Sequence, residues 1–155
     1  VVEFAGTANI VQPFMLAAGV AQRLGPIEVG GFRTNVTKAL AKGEELIDGP
    51  ASGGQGVRHL RPVMVVMTDG AHNGWSNPDK VADRVKAKAD VVTVAFGSDA
   101  DEEALRRWAS SPDQFSRVAD GRELRRFLAA AGATLTMTMA AGRNATHALA
   151  GLKRQ

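Results

Sequence analysis

The chain has 155 residues, 45% hydrophobic and 23% charged, a make-up that fits one globular domain and excludes a disordered polymer. It contains no cysteine, which rules out a disulfide scaffold, a Cys-based zinc site and a thiol nucleophile, and fits a reducing compartment. The net charge of +3 comes from scattered basic residues and there is no tyrosine, so no nucleic-acid surface is expected.

No apolar run approaches the roughly 20 residues a membrane span needs, and no basic-then-apolar leader opens the chain. Val1-Val2-Glu3-Phe4 and Ile10-Val11-Gln12-Pro13-Phe14 flank a Gly6-centred turn, which predicts a hairpin whose second strand ends near Pro13. A short helix is expected around Leu16 to Leu24. Gly30-Gly31-Phe32-Arg33-Thr34-Asn35 then leads into a helix carrying Val36, Ala39, Leu40, Gly43, Leu46 and Ile47 at helical spacing, with Thr34 or Asn35 as its N-cap. Gly49 to Gly56 is expected to be a loop.

Val63 to Met67 is apolar throughout and closes on Thr68-Asp69-Gly70, the pattern of a parallel strand buried on both faces. After a polar loop from His72 to Pro78, a helix is expected from near Asp79, with Val81, Val85 and Ala89 inward. Val91 to Phe96 reads as a second buried strand. Ser98 and Asp99 stand at capping-box spacing from Asp101 and Glu102, ahead of a helix that turns Ala104, Leu105 and Trp108 inward. A last short strand at Phe115 to Val118 precedes a long helix from Glu123 with Leu124, Phe127, Leu128, Ala131 and Leu135 on one face. Thr134 to Met139 alternates like a strand but keeps Leu135 in the helical stripe, so the helix is expected to continue. Strand–helix alternation of this kind predicts an α/β domain with a doubly wound, mostly parallel sheet, an antiparallel edge hairpin and helices on both faces.

In doubly wound domains, sites lie at the C-terminal ends of the strands. Asp69 follows the strand Val63 to Met67, and Thr34 opens a helix after two glycines. A carboxylate and a hydroxyl are hard oxygen donors, suited to Mg²⁺ or Mn²⁺. The simpler reading of Asp69 is a strand-ending Asp-Gly turn, and that of Thr34 and Asn35 is a helix cap. His72 flanks Asp69 in the chain but shows no zinc spacing with His59 or His147. Trp75, in the polar run Asn73 to Pro78, either folds back on the domain or anchors a partner. Trp108 and Phe127 are expected in the core, and Met64 and Met67 as core filling. No phosphate-binding Gly-x-x-x-x-Gly-Lys-Ser/Thr loop and no Gly-x-Ser-x-Gly elbow is present, so the chain is not expected to be an enzyme.

The order of these elements, with Gly30-Gly31-x-x-Thr34-Asn35 ahead of a helix and Thr68-Asp69-Gly70 after an apolar strand, resembles a von Willebrand factor A domain from Val1 to about Thr138. The likeness is greatest to bacterial cytoplasmic members of the tellurium-resistance-associated type, which implies a cytoplasmic location. It implies a Rossmann-like domain over 1–139, followed by an Ala-rich polar tail over 140–155. It also implies a metal-ion-dependent adhesion site (MIDAS) in which Thr34 and Asp69 are metal ligands for Mg²⁺ or Mn²⁺. A carboxylate from an acidic protein partner completes such a site, and Trp75, His72 and Asn35 are the candidates to touch that partner. The family's Asp-x-Ser-x-Ser loop, with the central strand and helix around it, has no counterpart here. A partner chain or another segment is therefore expected to supply that strand, and the 155 residues alone are not expected to fold stably. The alternatives are a metal-free structural scaffold in a larger assembly, and a metal-dependent hydrolase or phosphotransferase using Asp69.

Overall fold

A computed structural model describes residues 1–11, 33–49 and 61–140, the side chains of 131–140 excepted. The expected helix at Leu16 to Leu24, Gly30 and Gly31, most of the Gly49 to Gly56 loop, His59, His147 and most of the tail lie outside the described residues. The chain divides into two compact units, Val1–Leu60 with His72–Val85, and Arg61–Ala71 with Lys86–Gln155.

In the first unit, β1 (Val2–Phe4) and β2 (Ala8–Ile10) pair antiparallel, with Val2 opposite Ile10 and Phe4 opposite Ala8. The hairpin is thus tighter than the sequence suggests, its second strand ending ahead of Pro13. It is a two-stranded sheet by itself, hydrogen-bonded to no other strand among the described residues, rather than the edge of the parallel sheet. Helix α1 (Val36–Asp48) buries Val36, Ala39 and Leu40, three positions of its apolar stripe. Helix α2 (Pro78–Lys88) opens with a proline, whose missing N–H costs nothing in a first turn, and buries Val81, Ala82 and Val85. Asn77 Oδ1 accepts from the Asp79 N–H at 2.8 Å. Across the two helices, Arg84 meets Glu44 at 2.9 Å.

The second unit is built on three parallel strands in the order β3 (Val63–Thr68), β4 (Asp90–Phe96), β5 (Phe115–Val118). Every residue of β4 from Asp90 to Ala95 is buried. β3 does not match that expectation: Val66 and Thr68 are buried, but Val65 is 47% and Met67 40% exposed. One face of β3 is therefore open, and Met67 is not core filling. Gly97 ends β4 at φ 77°, a left-handed backbone that suits glycine.

Helix α3 (Glu102–Trp108) lies on the β4–β5 face that carries Thr93 and Phe115. The Thr93 hydroxyl donates to the Leu105 carbonyl at 2.9 Å, and the Arg106 guanidinium sits 3.9 Å over the Phe115 ring. Its cap is Asp101, which accepts from the Ala104 N–H at 2.9 Å. Neither Ser98 nor Asp99 caps it; Ser98 instead donates to the Asp99 carboxylate. Trp108 is buried as expected.

Helix α4 (Gly121–Ala140) is continuous through the Thr134 to Met139 stretch, as the apolar stripe predicts. It sits shallower than expected, with Phe127 half-buried and Leu128 49% exposed. At the other end of the sheet, Arg61 donates to Asp90 at 2.9 Å and to the carbonyls of Lys86 and Ala89, so one guanidinium ties the approach to β3 to the end of α2.

Candidate functional site: the entrance to α1 and the β3 turn

The first turn of a helix leaves N–H groups without helical acceptors. At α1 the amides of Val36 and Lys38, and those of Thr34 and Asn35 just before them, find acceptors from several directions. The Thr34 N–H donates to Asn73 Oδ1 at 2.8 Å, and the Asn73 N–H returns a bond to the Thr34 carbonyl at 3.1 Å. The Asn35 N–H donates to the Ala5 carbonyl at 2.7 Å. Asn35 is the N-cap, its side chain accepting from the Lys38 N–H at 3.1 Å. The Val36 N–H donates to His72 Nδ1 at 3.1 Å.

His72 Nε2 lies 2.8 Å from the Ser76 carbonyl, which also accepts from the Thr37 hydroxyl at 3.2 Å. A carbonyl only accepts, so Nε2 carries the proton and Nδ1 the lone pair. Both ring nitrogens are thereby used within the chain. The ring is half-buried and clamps the loop to the helix.

Gly74 is required by close approach. A Cβ there would stand 2.7 Å from His72 Cε1 and 3.0 Å from Asn35 Cγ. The loop from His72 to Asn77 is thus fixed at several points. It nonetheless holds Trp75 out of the fold, 97% exposed, so that side chain does not fold back on the domain.

The structure brings Thr34, Asn35 and His72 together in the first unit, with Trp75 on the same loop as His72. Asp69 belongs to the second unit, directly after β3. There the Thr68 hydroxyl bonds both ways with Gly70, donating to its carbonyl at 3.1 Å and accepting from its N–H at 3.3 Å. The side chain of Thr68 thus shapes the turn, and Asp69 is exposed with no hydrogen bond or ion pair among the described residues. The Thr34 hydroxyl is likewise unengaged among them.

The Asp69 carboxylate and the Thr34 hydroxyl are each a hard oxygen donor of the kind a divalent cation takes, one in each unit. No cluster of three or more His, Cys, Asp or Glu suited to a metal occurs among the described residues. Asn73 and Gly74 were not singled out from the sequence. Asn-Gly there reads only as a turn pair, and the bond to Thr34 spans 39 positions.

The sequence matches the von Willebrand factor type A domain over residues 1–130. The chain belongs to that family. The family's domains mediate protein–protein interaction, and the α/β architecture described above is theirs. Among solved structures, the chain resembles proximal thread matrix protein 1 from the mussel byssus, with a TM-score of 0.72 at 20% identity over 82% of this chain. A second structure of that protein, with a zinc-occupied MIDAS motif, gives a TM-score of 0.62 at 19% identity over 81% of this chain. This chain spans about a third of that protein's length, 34% and 31% in the two matches. At this identity the likeness shows the fold. No curated protein matches the sequence. No helix among the described residues is long and apolar enough to cross a membrane.

Proposed function

We propose that this von Willebrand factor A domain is a non-catalytic binding module for a protein partner that presents an acidic side chain. In this reading Thr34 and Asp69 each give an oxygen to a divalent cation, Mg²⁺ or Mn²⁺, and Trp75 supplies apolar contact beside it. The observation that carries the reading is Trp75, held in water by a loop that is otherwise fixed. Burying a large aromatic ring stabilises a fold by a few kcal/mol, so one left outside on a rigid support is suited to a partner.

The unengaged Thr34 hydroxyl and Asp69 carboxylate agree with ligand roles. Membership of the family supports the reading, since a solved structure of the byssus protein carries a zinc-occupied MIDAS motif. The cation would supply positive charge facing the partner's carboxylate; this chain's residues orient the donors and present the ring. His72 then acts behind the contact surface, because both its ring nitrogens are bonded inside the chain, and Asn35 spends its Oδ1 on the helix cap. The assignment to a bacterial cytoplasmic, tellurium-resistance-associated type rests on sequence resemblance alone. The open apolar face of β3 supports a companion proposal: an extended segment from elsewhere in the protein, or from a partner chain, lies beside β3.

The test is capture of the partner from native lysate by wild type, Asp69→Ala, Trp75→Ala and Arg125→Ala, at equal folded concentration, with and without EDTA. Asp69→Ala, Trp75→Ala and EDTA should each weaken capture about 10-fold or more, as loss of a hot-spot residue does. Arg125→Ala should not. Capture that survives Asp69→Ala and EDTA but fails in Arg125→Ala would move the interface to α4 and defeat the proposal.

A further inference from the structure

We propose that α4 docks the domain onto an anionic phospholipid surface, through a face independent of Thr34 and Asp69. The net charge of +3 is unevenly divided along the chain. Residues 121–155 hold six Lys or Arg and one acid, a net +5, whereas residues 1–120 hold 13 and 15, a net −2. No acidic residue follows Glu123.

Comparison with α3 shows that the arginines of α4 are not ordinary surface charges. In α3, Glu102 and Glu103 stand in the first turn and Arg106 and Arg107 in the last, paired at 3.5 and 3.2 Å. That order suits the helix dipole, which favours anions at the N-terminal end and cations at the C-terminal end. Helix α4 reverses it: Arg122, Arg125 and Arg126 lie in its first two turns, and its last turn has no basic residue. The neighbouring acids are spent on backbone. Asp120 Oδ1 accepts from the N–H groups of Arg122 and Glu123 at 2.7 and 2.9 Å, and Glu123 Oε2 accepts from the Ala119 N–H at 2.8 Å. All three arginines are exposed, and their guanidinium groups make no hydrogen bond or ion pair among the described residues. Three unpaired cations set against the dipole weaken the helix, so their use lies outside the fold.

The apolar residues decide which anionic surface they meet. Leu128, one turn from Leu124 and three residues after Arg125, is 49% exposed, and Leu124 and Phe127 are only half-buried. No charged residue occurs from Phe127 to Ala140. A nucleic-acid backbone offers phosphates but no apolar layer for an exposed leucine. A bilayer offers both: headgroup phosphates for the guanidinium groups, and the acyl boundary for the apolar side chains. Because α4 is not long and apolar enough to cross, it lies along the surface.

The experiment is co-sedimentation of the full-length protein with vesicles of phosphatidylcholine alone, or of equal parts phosphatidylcholine and phosphatidylglycerol, with thermal melting of each variant. The variants are the triple Arg122→Gln, Arg125→Gln, Arg126→Gln, then Leu128→Gln, and Arg107→Gln as control. Wild type should bind the anionic vesicles and not the neutral ones, less tightly as salt is raised. Each arginine at such a surface is worth about five-fold, so the triple variant should lose about 100-fold. Its melting midpoint should hold or rise, since the cations removed opposed the dipole, and that separates lost binding from lost fold. Leu128→Gln should weaken binding about 5–10-fold with the same salt dependence, and Arg107→Gln should bind like wild type.

Equal binding of wild type to neutral and anionic vesicles, or binding to neither, would overturn the proposal. So would wild-type binding to anionic vesicles by the triple variant. A DNA duplex or polyglutamate bound as tightly as the anionic vesicles, and undiminished in Leu128→Gln, would assign the arginines to a soluble polyanion and overturn the lipid docking.

Discussion

β3 and β4 lie side by side in register, Val65 against Val92 and Met67 against Val94, and their sequences are almost interchangeable runs of valine and methionine or alanine. In-register parallel partners point to the same face of a sheet. On that face Val92 and Val94 are 3% and 1% exposed, yet Val65 and Met67 are 47% and 40%. The difference lies in position. β4 has a hydrogen-bonded strand on each side, whereas β3 has one on one side only among the described residues. An apolar run therefore specifies a strand but not how many of its faces are covered. The covering comes from whatever lies next to the strand in space.

The comparison breaks most sharply at Val94. Val94→Asp would bury a charge with no partner in the middle of the sheet, at a cost beyond about 4 kcal/mol. That is a large part of the 5–15 kcal/mol typical of a domain. The expected outcome is loss of cooperative thermal unfolding, read by far-UV circular dichroism. A variant that still melted cooperatively within a few degrees of wild type would mean that β4 is far less enclosed than its burial shows.

A middle-sized effect is expected in the first unit, where coverage comes from a loop instead of a strand. Gly74→Ala places a methyl 2.7 Å from His72 Cε1, so the ring must move. The ring is held at both nitrogens, and moving it breaks the bond to the Val36 N–H or to the Ser76 carbonyl. Overpacking of this kind costs about 1–3 kcal/mol. Amide hydrogen exchange should show faster exchange at Val36 and Thr34, with the β4 amides unchanged. Unaltered protection at Val36 would show that the ring is not held as described.

How much was legible in the sequence follows the same division. Local signals placed the elements well: the stripe Val36, Ala39, Leu40 became a buried helix face, Val91 to Ala95 a buried strand, and the Leu135 stripe kept α4 helical to Ala140. Competition between neighbouring polar residues misled the reading of α3. Ser98, Asp99 and Asp101 all suit a cap, and only backbone angles decide that Asp101 takes the role. At the site, Thr34, Asn35, Asp69 and Trp75 were visible as residue types at strand ends and helix starts. The bond from the Val36 N–H to His72 and the bonds between Asn73 and Thr34 were not, because each joins segments more than 30 residues apart. Long-range pairing leaves no periodic trace in one sequence.

The smallest effect is the most discriminating, since it uses one substitution on two neighbours. Val→Thr keeps the β-branched shape and the strand preference while replacing a methyl by a hydroxyl. At Val92, 3% exposed, the new hydroxyl has no water to bond, so Val92→Thr should cost about 1–3 kcal/mol. At Val65, 47% exposed, the hydroxyl meets solvent, and Val65→Thr should fall within about 0.5 kcal/mol of wild type in the isolated chain. Urea unfolding at matched concentrations measures both, and a cooperative transition of the isolated chain would itself overturn the expectation that it needs the missing strand to fold. In the assembled protein, a segment lying beside β3 would make the two sites alike, and Val65→Thr would then cost as much as Val92→Thr. A penalty at Val65 that appears only in the assembly would show that β3 is covered there. An equal penalty at both sites in the isolated chain would show that the open face of β3 is already closed by the chain itself.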